Sequence, residues 1–326
     1  MVHTTVVGHY PRIGDTSDEQ ELRRAIGRRD KGEISDADLR AAEREVVRTV
    51  LKEQNDAGID LVTDGQITWY DAASHLARGL EGVEITGLVR FFDTNIYYRQ
   101  PRIRGTISWT HPILSDEWRY ARDHSRAPVK AVLTGPVTLA HLAANGDGRT
   151  RRHLALELST ALAAEARSLV SAGARHLQVD EPILSREPSE LPLVADTLRT
   201  IAREKGPAHL TLAVYFGDVA AIYRDLLSLP ADLFLLDLVQ GGKTWTLIAK
   251  HGSEKPLGLG LIDARNTKLE DPKAIAAKVA SLRQVVDLGK TYLCPSNGLE
   301  FLPRARARDK LSVLVKAAKL AGAAAS

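Results

Sequence analysis

Short runs of Val, Leu and Ile recur along the chain, and most of them stop in a polar or glycine-rich tip. Thr4–Val7 ends in Gly8-His9, and Ile59–Thr63 ends in Asp64-Gly65-Gln66. Val129–Leu133 leads into Thr134-Gly135-Pro136, and His176–Val179 into Asp180-Glu181-Pro182. Leu210–Phe216 precedes Gly217-Asp218, Leu233–Leu236 precedes Asp237, and Leu257–Leu261 leads to Asp263. The eighth run, Thr291–Cys294, ends in Pro295-Ser296-Asn297-Gly298. Between these predicted strands the apolar period changes to that of a helix. Ser35 caps a predicted helix with Asp38 in its first turn and an apolar face of Leu39, Ala42, Val46, Val47, Val50 and Leu51. His153–Ala172, stopped by Gly173, reads the same way, as do Pro272–Leu288, stopped by Gly289, and Arg304–Ala321.

Strands that alternate with helices require parallel pairing through right-handed crossovers. A doubly wound sheet of this kind carries a glycine-rich phosphate loop after its first strand. Here that place is taken by Gly8-His9-Tyr10-Pro11-Arg12-Ile13-Gly14, which does not fit G-x-G-x-x-G. The expected fold is therefore a single α/β domain over residues 1–326, a (β/α)8 TIM barrel with its site at the strand ends. Residues 80–128 interrupt the alternation between the second and third strands. Within them, Leu88–Phe92, the turn Asp93-Thr94-Asn95 and Ile96–Arg99 predict a β-hairpin with aromatic residues on both arms. Such an insertion either covers a substrate or packs as an edge hairpin on the barrel rim.

Composition narrows the function classes. Lys plus Arg is 44 and Asp plus Glu is 41, and this near balance argues against a nucleic-acid or membrane partner. No stretch reaches the run of about eighteen apolar residues that spans a bilayer, and no secretory leader pattern opens the sequence. The single cysteine, Cys294, excludes an intrachain disulfide and a thiolate-rich zinc site, and it reads as a buried small hydrophobe. A cytoplasmic protein acting on a small molecule is the expectation.

In a barrel, the strand-end tips line one pocket. Asp64, Asp180, Glu181, Asp237 and Asp263 would make it acidic, suited to an ammonium group, a metal or acid–base work. Helix capping is the competing use for such residues. Asp180 and Glu181 are adjacent on a strand, so one faces the barrel axis and the other turns towards a neighbouring loop. His9 is a candidate base or a structural histidine. Gln66 stands at an equivalent tip, and Tyr215 and Asn297 are either pocket-lining hydrogen-bonding groups or simple packing. Serine-nucleophile chemistry lacks a G-x-S-x-G elbow.

The tips Thr4–Arg12, Thr63–Gln66, Leu133–Leu139, Gln178–Pro182 and Pro295–Leu299 together resemble cobalamin-independent methionine synthase. The resemblance is to its C-terminal catalytic barrel, in the short core form, and runs from the first strand to the last. It implies the same barrel and a methyl transfer in which zinc, held by His, Cys, Glu and Cys, activates a homocysteine thiol. The family's His-x-Cys falls on Ala213-Val214-Tyr215, its glutamate on or beside Asp237, and its last cysteine on Asn297. A serine and a glutamate that contact substrate in the family fall on His9 and Gln66, while Asp180 is retained.

The resemblance thus implies a methyltransferase working without the family's zinc, with an acceptor that need not be homocysteine. His9 and Asp237 would be catalytic; Gln66, Asp180, Glu181, Tyr215 and Asn297 would bind substrate. The methyl donor would be a methyl-folate or a methyl-corrinoid, the latter bringing a corrinoid protein as partner. Two other readings fit the same residues. One is a different acid–base reaction, a lyase or decarboxylase, on the same barrel. The other is a non-catalytic protein that binds a ligand in the pocket or on the Phe91/Tyr97/Tyr98 hairpin.

Overall fold

The structure is a computed structural model that describes residues 2–323. Its first elements are β1 (His3–Thr4), α1 (Glu21–Asp30), α2 (Asp36–Ala57), α3 (Ser74–Arg78), β2 (Leu80–Arg90), β3 (Tyr97–Trp109) and α4 (Ser115–Asp123). Next come β4 (Ala131–Thr134), α5 (Pro136–Leu142), β5 (Ala144–Asn145), α6 (Arg151–Ser171), β6 (His176–Asp180), α7 (Leu191–Glu204) and β7 (His209–Val214). The chain continues through α8 (Tyr223–Leu226), β8 (Leu233–Asp237), α9 (Gly242–His251), β9 (Leu257–Ile262), α10 (Pro272–Ala280), β10 (Tyr292–Pro295) and α11 (Arg304–Ala323). This is an α/β fold with a parallel sheet of seven strands.

The chain divides into two compact units. One comprises the residues up to Thr68, Arg119–Val129 and the chain from Leu235 onward; the other comprises Trp69–Trp118 and Lys130–Phe234. In the first, β1 pairs with β10 and β10 with β9, all parallel. In the second, β4 pairs with β6 and β6 with β7, also parallel. Strands of this kind are buried on both faces, and β4, β8 and β9 are buried at every position.

Helix α2 forms where the capping pattern places it. The Ser35 side chain accepts from the Asp38 N–H, and the Asp38 carboxylate accepts from the Ser35 N–H. Its buried face includes Leu39, Val46, Val47, Val50 and Leu51. Helix α10 is shorter than the expected Pro272–Leu288, because the Val285 carbonyl accepts from Ser253 N–H and Val286 bridges to Ser253. Those backbone groups are drawn into an extended pairing and cannot continue the helix.

The run 59–63 makes only two isolated bridges, Thr5 with Leu61 and Val62 with Val129. Its last residue is taken up elsewhere: the buried Gln54 side chain accepts from Thr63 N–H at 3.1 Å and donates to Thr63 O at 2.8 Å. In the second unit, β2 and β3 pair antiparallel from Leu80–Trp109 to Arg90–Tyr97. These arms extend well beyond the residues 88–99 expected of the hairpin. Their base is held by the buried Glu165 of α6, which accepts from Trp109 Nε1 at 2.6 Å and from the N–H groups of Ile113 and Leu114. Among the described residues, no helix is long and apolar enough to cross a membrane.

Candidate active site

In the second unit, Asp180 is the last residue of β6 and is buried. Its Oδ1 accepts from Gln178 Nε2 at 2.6 Å, and its Oδ2 accepts from the Tyr215 hydroxyl at 3.0 Å. Gln178 lies two residues back and so shares a strand face with Asp180. Tyr215 directly follows β7, the strand whose Ala213 is in register with Asp180. Burial pushes the Asp180 carboxyl up to about 7, against the lowering effect of its bonds from Gln178 and Tyr215 and of the Lys130 charge. A buried carboxyl that titrates near neutrality, held by a phenol and an amide, is suited to bind a cation or to exchange a proton.

Glu181 points elsewhere. Its carboxylate accepts from the N–H groups of Val137 and Thr138, at 3.0 and 2.7 Å, and from the Thr138 hydroxyl at 2.7 Å. It therefore anchors the start of α5 instead of reaching a substrate as expected. A Cβ at Gly135 would run into this carboxyl group, which accounts for glycine there. Burial raises the Glu181 carboxyl to about 7, opposed by these donors and reinforced by the neighbouring Asp180. Asp180 and Glu181 thus turn to different partners, and those of Glu181 are the first N–H groups of α5 and the Thr138 hydroxyl.

In the first unit, three tips are stitched together by backbone bonds. Tyr10 N–H donates to Gly65 O at 3.0 Å, and Leu299 N–H donates to His9 O at 2.8 Å. The tips carrying His9, Gln66 and Asn297 are thus joined. The Gln66 Oε1 and Asn297 Oδ1 atoms are buried and accept no hydrogen bond, a rare condition for amide oxygens. The carboxylate of Asp237 accepts from the N–H groups of Val239 and Gln240, both at 3.0 Å, so it shapes its own loop. Asp64 and Asp263 do the same for Gln66 and Arg265.

Only three non-glycine residues have positive φ among the described residues: Gln66 at 51°, Phe92 at 48° and Phe216 at 71°. Each such backbone costs on the order of 1–3 kcal/mol, and strained positions concentrate at functional sites. Gln66 is a strand-tip candidate and Phe216 follows Tyr215. Phe92 sits in the turn of the β2–β3 hairpin, and its ring packs 5.9 Å from that of Phe216. Neither Phe92 nor Phe216 carries a sequence marker of its strained backbone, because a left-handed conformation is signalled by Gly or Asn, not by Phe. Gln178 could have been found from its two-residue spacing to Asp180.

A sequence profile described as the cobalamin-independent synthase, N-terminal domain, matches residues 3–76 and 73–287. The chain belongs to the cobalamin-independent synthase family. The family is the one the strand-tip motifs resemble, although the matching profile describes its N-terminal domain and the motifs resemble the C-terminal barrel. The methionine synthase of Saccharolobus solfataricus is 29% identical over 322 residues, covering 98% of this chain and 95% of its own. The fold is that of the B12-independent methionine synthase from Shewanella sp. W3-18-1, solved with selenomethionine, with a TM-score of 0.84 at 20% identity over 98% and 97% of the two chains. A methyltransferase from Methanosarcina mazei gives a TM-score of 0.62 at 16% identity, over 96% and 94%.

The positions where the resemblance puts the family's zinc ligands present a poor donor set. Tyr215 donates its proton to Asp180, Asn297 offers a neutral amide, and Asp237 is bound to its own loop. Among the described residues, no three His, Cys, Asp or Glu side chains are grouped to hold a metal ion. Cys294 is buried within β10.

Proposed function

We propose that this chain is a methyltransferase of the methionine-synthase type that acts without the family's zinc. Its acceptor is a small amino-acid-like molecule whose activation does not depend on a metal-bound thiolate. The observation that carries the reading is the buried Asp180, with its Tyr215 and Gln178 donors, in a chain of this family. The donor set at Tyr215, Asp237 and Asn297 supports a metal-free mechanism, since zinc sites are built from thiolate, imidazole and carboxylate. The (β/α)8 barrel expected over residues 1–326 is the proposed scaffold, and the bridges through Leu61 and Val62 fit an eighth strand in it.

In this mechanism the Asp180 carboxylate binds the ammonium group of the acceptor, with Tyr215 fixing its orientation. A base of the enzyme takes the proton from the acceptor nucleophile as the methyl group breaks its bond to the donor, which departs in its demethylated form. Asp237 shapes the loop after β8. The methyl donor is of the folate or corrinoid class. Nucleophiles of carbon or nitrogen need only such a base, whereas a thiol near its ordinary pKa of about 8.5 stays mostly protonated at neutral pH.

The raised Asp180 carboxyl also suits a second reading, acid–base chemistry such as a decarboxylation or elimination. Incubation with methyl-labelled folate or corrinoid donors and a panel of amino-acid acceptors separates the two. Label appearing on an acceptor supports methyl transfer. Substrate turnover without label on any acceptor supports the second reading and overturns the first.

A further inference from the structure

We infer that Phe92 and Phe216 are specificity-determining residues, forming an aromatic wall that takes the apolar part of the molecule whose polar end meets Asp180. This assignment rests on the reading of Asp180 as the substrate's polar anchor. The geometry runs through one connected cluster. Tyr215, the donor to Asp180, stands edge-on to Phe216 at 4.7 Å between ring centroids. Phe216 in turn meets Phe91 at 6.0 Å and Phe92 at 5.9 Å, and Phe91 meets Tyr98 at 6.1 Å. The hairpin turn thus lies one aromatic ring away from the donor of the buried carboxyl.

Phe92 and Phe216 both occupy a left-handed backbone that Gly or Asn adopts with less strain. A bulky ring kept at two such positions in mutual contact serves through its side chain, not through its backbone. The wall is fixed. Phe91 and Ile96 close the turn with a 2.9 Å backbone bond, and Thr94 binds Phe91 O through both its N–H and its hydroxyl. Arg186 holds Asp93 at 2.7 Å, Tyr98 donates to Leu142 O, and Arg99 N–H donates to Asp71. Phe91 and Phe216 are buried, and Phe92 is the ring of these three that stays partly open to solvent. The ligand class that fits a carboxylate beside aromatic rings is an amino acid whose side chain carries an apolar segment, for which L-methionine serves as the apolar probe.

Titration of the wild-type protein and Phe92→Gly with L-methionine and with L-homoserine, alongside thermal melts, tests the assignment. Wild type should prefer methionine, and Phe92→Gly should lose about tenfold in methionine affinity while homoserine binding stays within about twofold. The glycine relieves the left-handed strain, so its melting temperature should hold or rise. Phe92→Leu should restore part of the methionine affinity. Equal weakening of both ligands, or no weakening of either, overturns the wall. So does loss of methionine affinity accompanied by a lower melting temperature and no rescue by leucine. Asp180→Asn should weaken both ligands. If it weakens neither while Phe92→Gly still discriminates, the anchor reading fails and the wall stands. Absence of binding to wild type overturns both.

Discussion

The hydroxyl of Tyr215 donates a 3.0 Å hydrogen bond to the buried carboxylate of Asp180, joining the end of β6 to the residue that follows β7. This bond favours the ionised carboxylate, while burial favours the neutral acid and brings the group to about 7. Tyr215→Phe removes the donor and leaves burial in force. The pH midpoint for L-methionine binding should therefore move up by roughly one unit, since a bond to a charged group contributes about 1.5–3 kcal/mol. Titrations from pH 6 to 9 check this; an unchanged midpoint would show that Asp180 does not set the profile.

Folding stability should carry the same signature. Asp180 and Glu181 titrate at about 7 in the folded protein, above the ordinary carboxylate range of about 4 in the unfolded chain. Between those limits the folded state holds more protons, so their contribution is fully present at low pH and declines as pH rises from about 4 through about 7. The half-buried His141 and His176, held below the ordinary histidine value by partial burial, act in the opposite direction. The difference between wild type and Asp180→Asn cancels them. Denaturant melts at pH 5 and pH 8 should show the variant losing less stability with rising pH than wild type.

Glu181 should matter for folding more than for ligand. Its carboxylate holds two helix N–H groups and a hydroxyl at the start of α5. Glu181→Ala leaves these donors buried and should cost about 2–4 kcal/mol in a urea melt. Methionine affinity, measured where the variant is folded, should change little. A large affinity loss without destabilisation would return Glu181 to the substrate contacts.

Gly65 adopts φ of 72°, and a Cβ there would lie 2.8 Å from Val50 Cγ1 and 3.0 Å from Tyr10 Cβ. Gly65→Ala should therefore destabilise the protein by about 1–3 kcal/mol. Because Gly65 O accepts from Tyr10 N–H, the strain should also displace the tip that carries His9. Full stability in this variant would show that the tip tolerates the contact.

Much of the fold was legible because apolar period and turn chemistry agree locally, as at Ser35 and in the run His176–Val179. What was not legible depended on partners far along the chain. The run at 59–63 is limited by Gln54, and α10 is cut short by the pairing of Val286 with Ser253. The longer hairpin arms do carry a local signal, since Pro101, Ile103 and Ile107 are buried between the exposed Arg102, Arg104 and Ser108, an alternation that marks a half-buried strand. At the site, the strand-tip rule singled out Asp180 and Tyr215 separately. Their contact, the diversion of Glu181 to α5, and the aromatic pair Phe92–Phe216 are tertiary events with no local marker.

Metal content measured together with turnover decides whether this chain transfers methyl groups without zinc. The protein is purified without added metal, treated with a chelator, and assayed for transfer of a labelled methyl group while bound zinc per chain is determined. Metal-free chemistry requires that transfer persist with far less than one zinc per chain and be lost in Asp180→Asn. Transfer that appears only with one equivalent of zinc bound would contradict it.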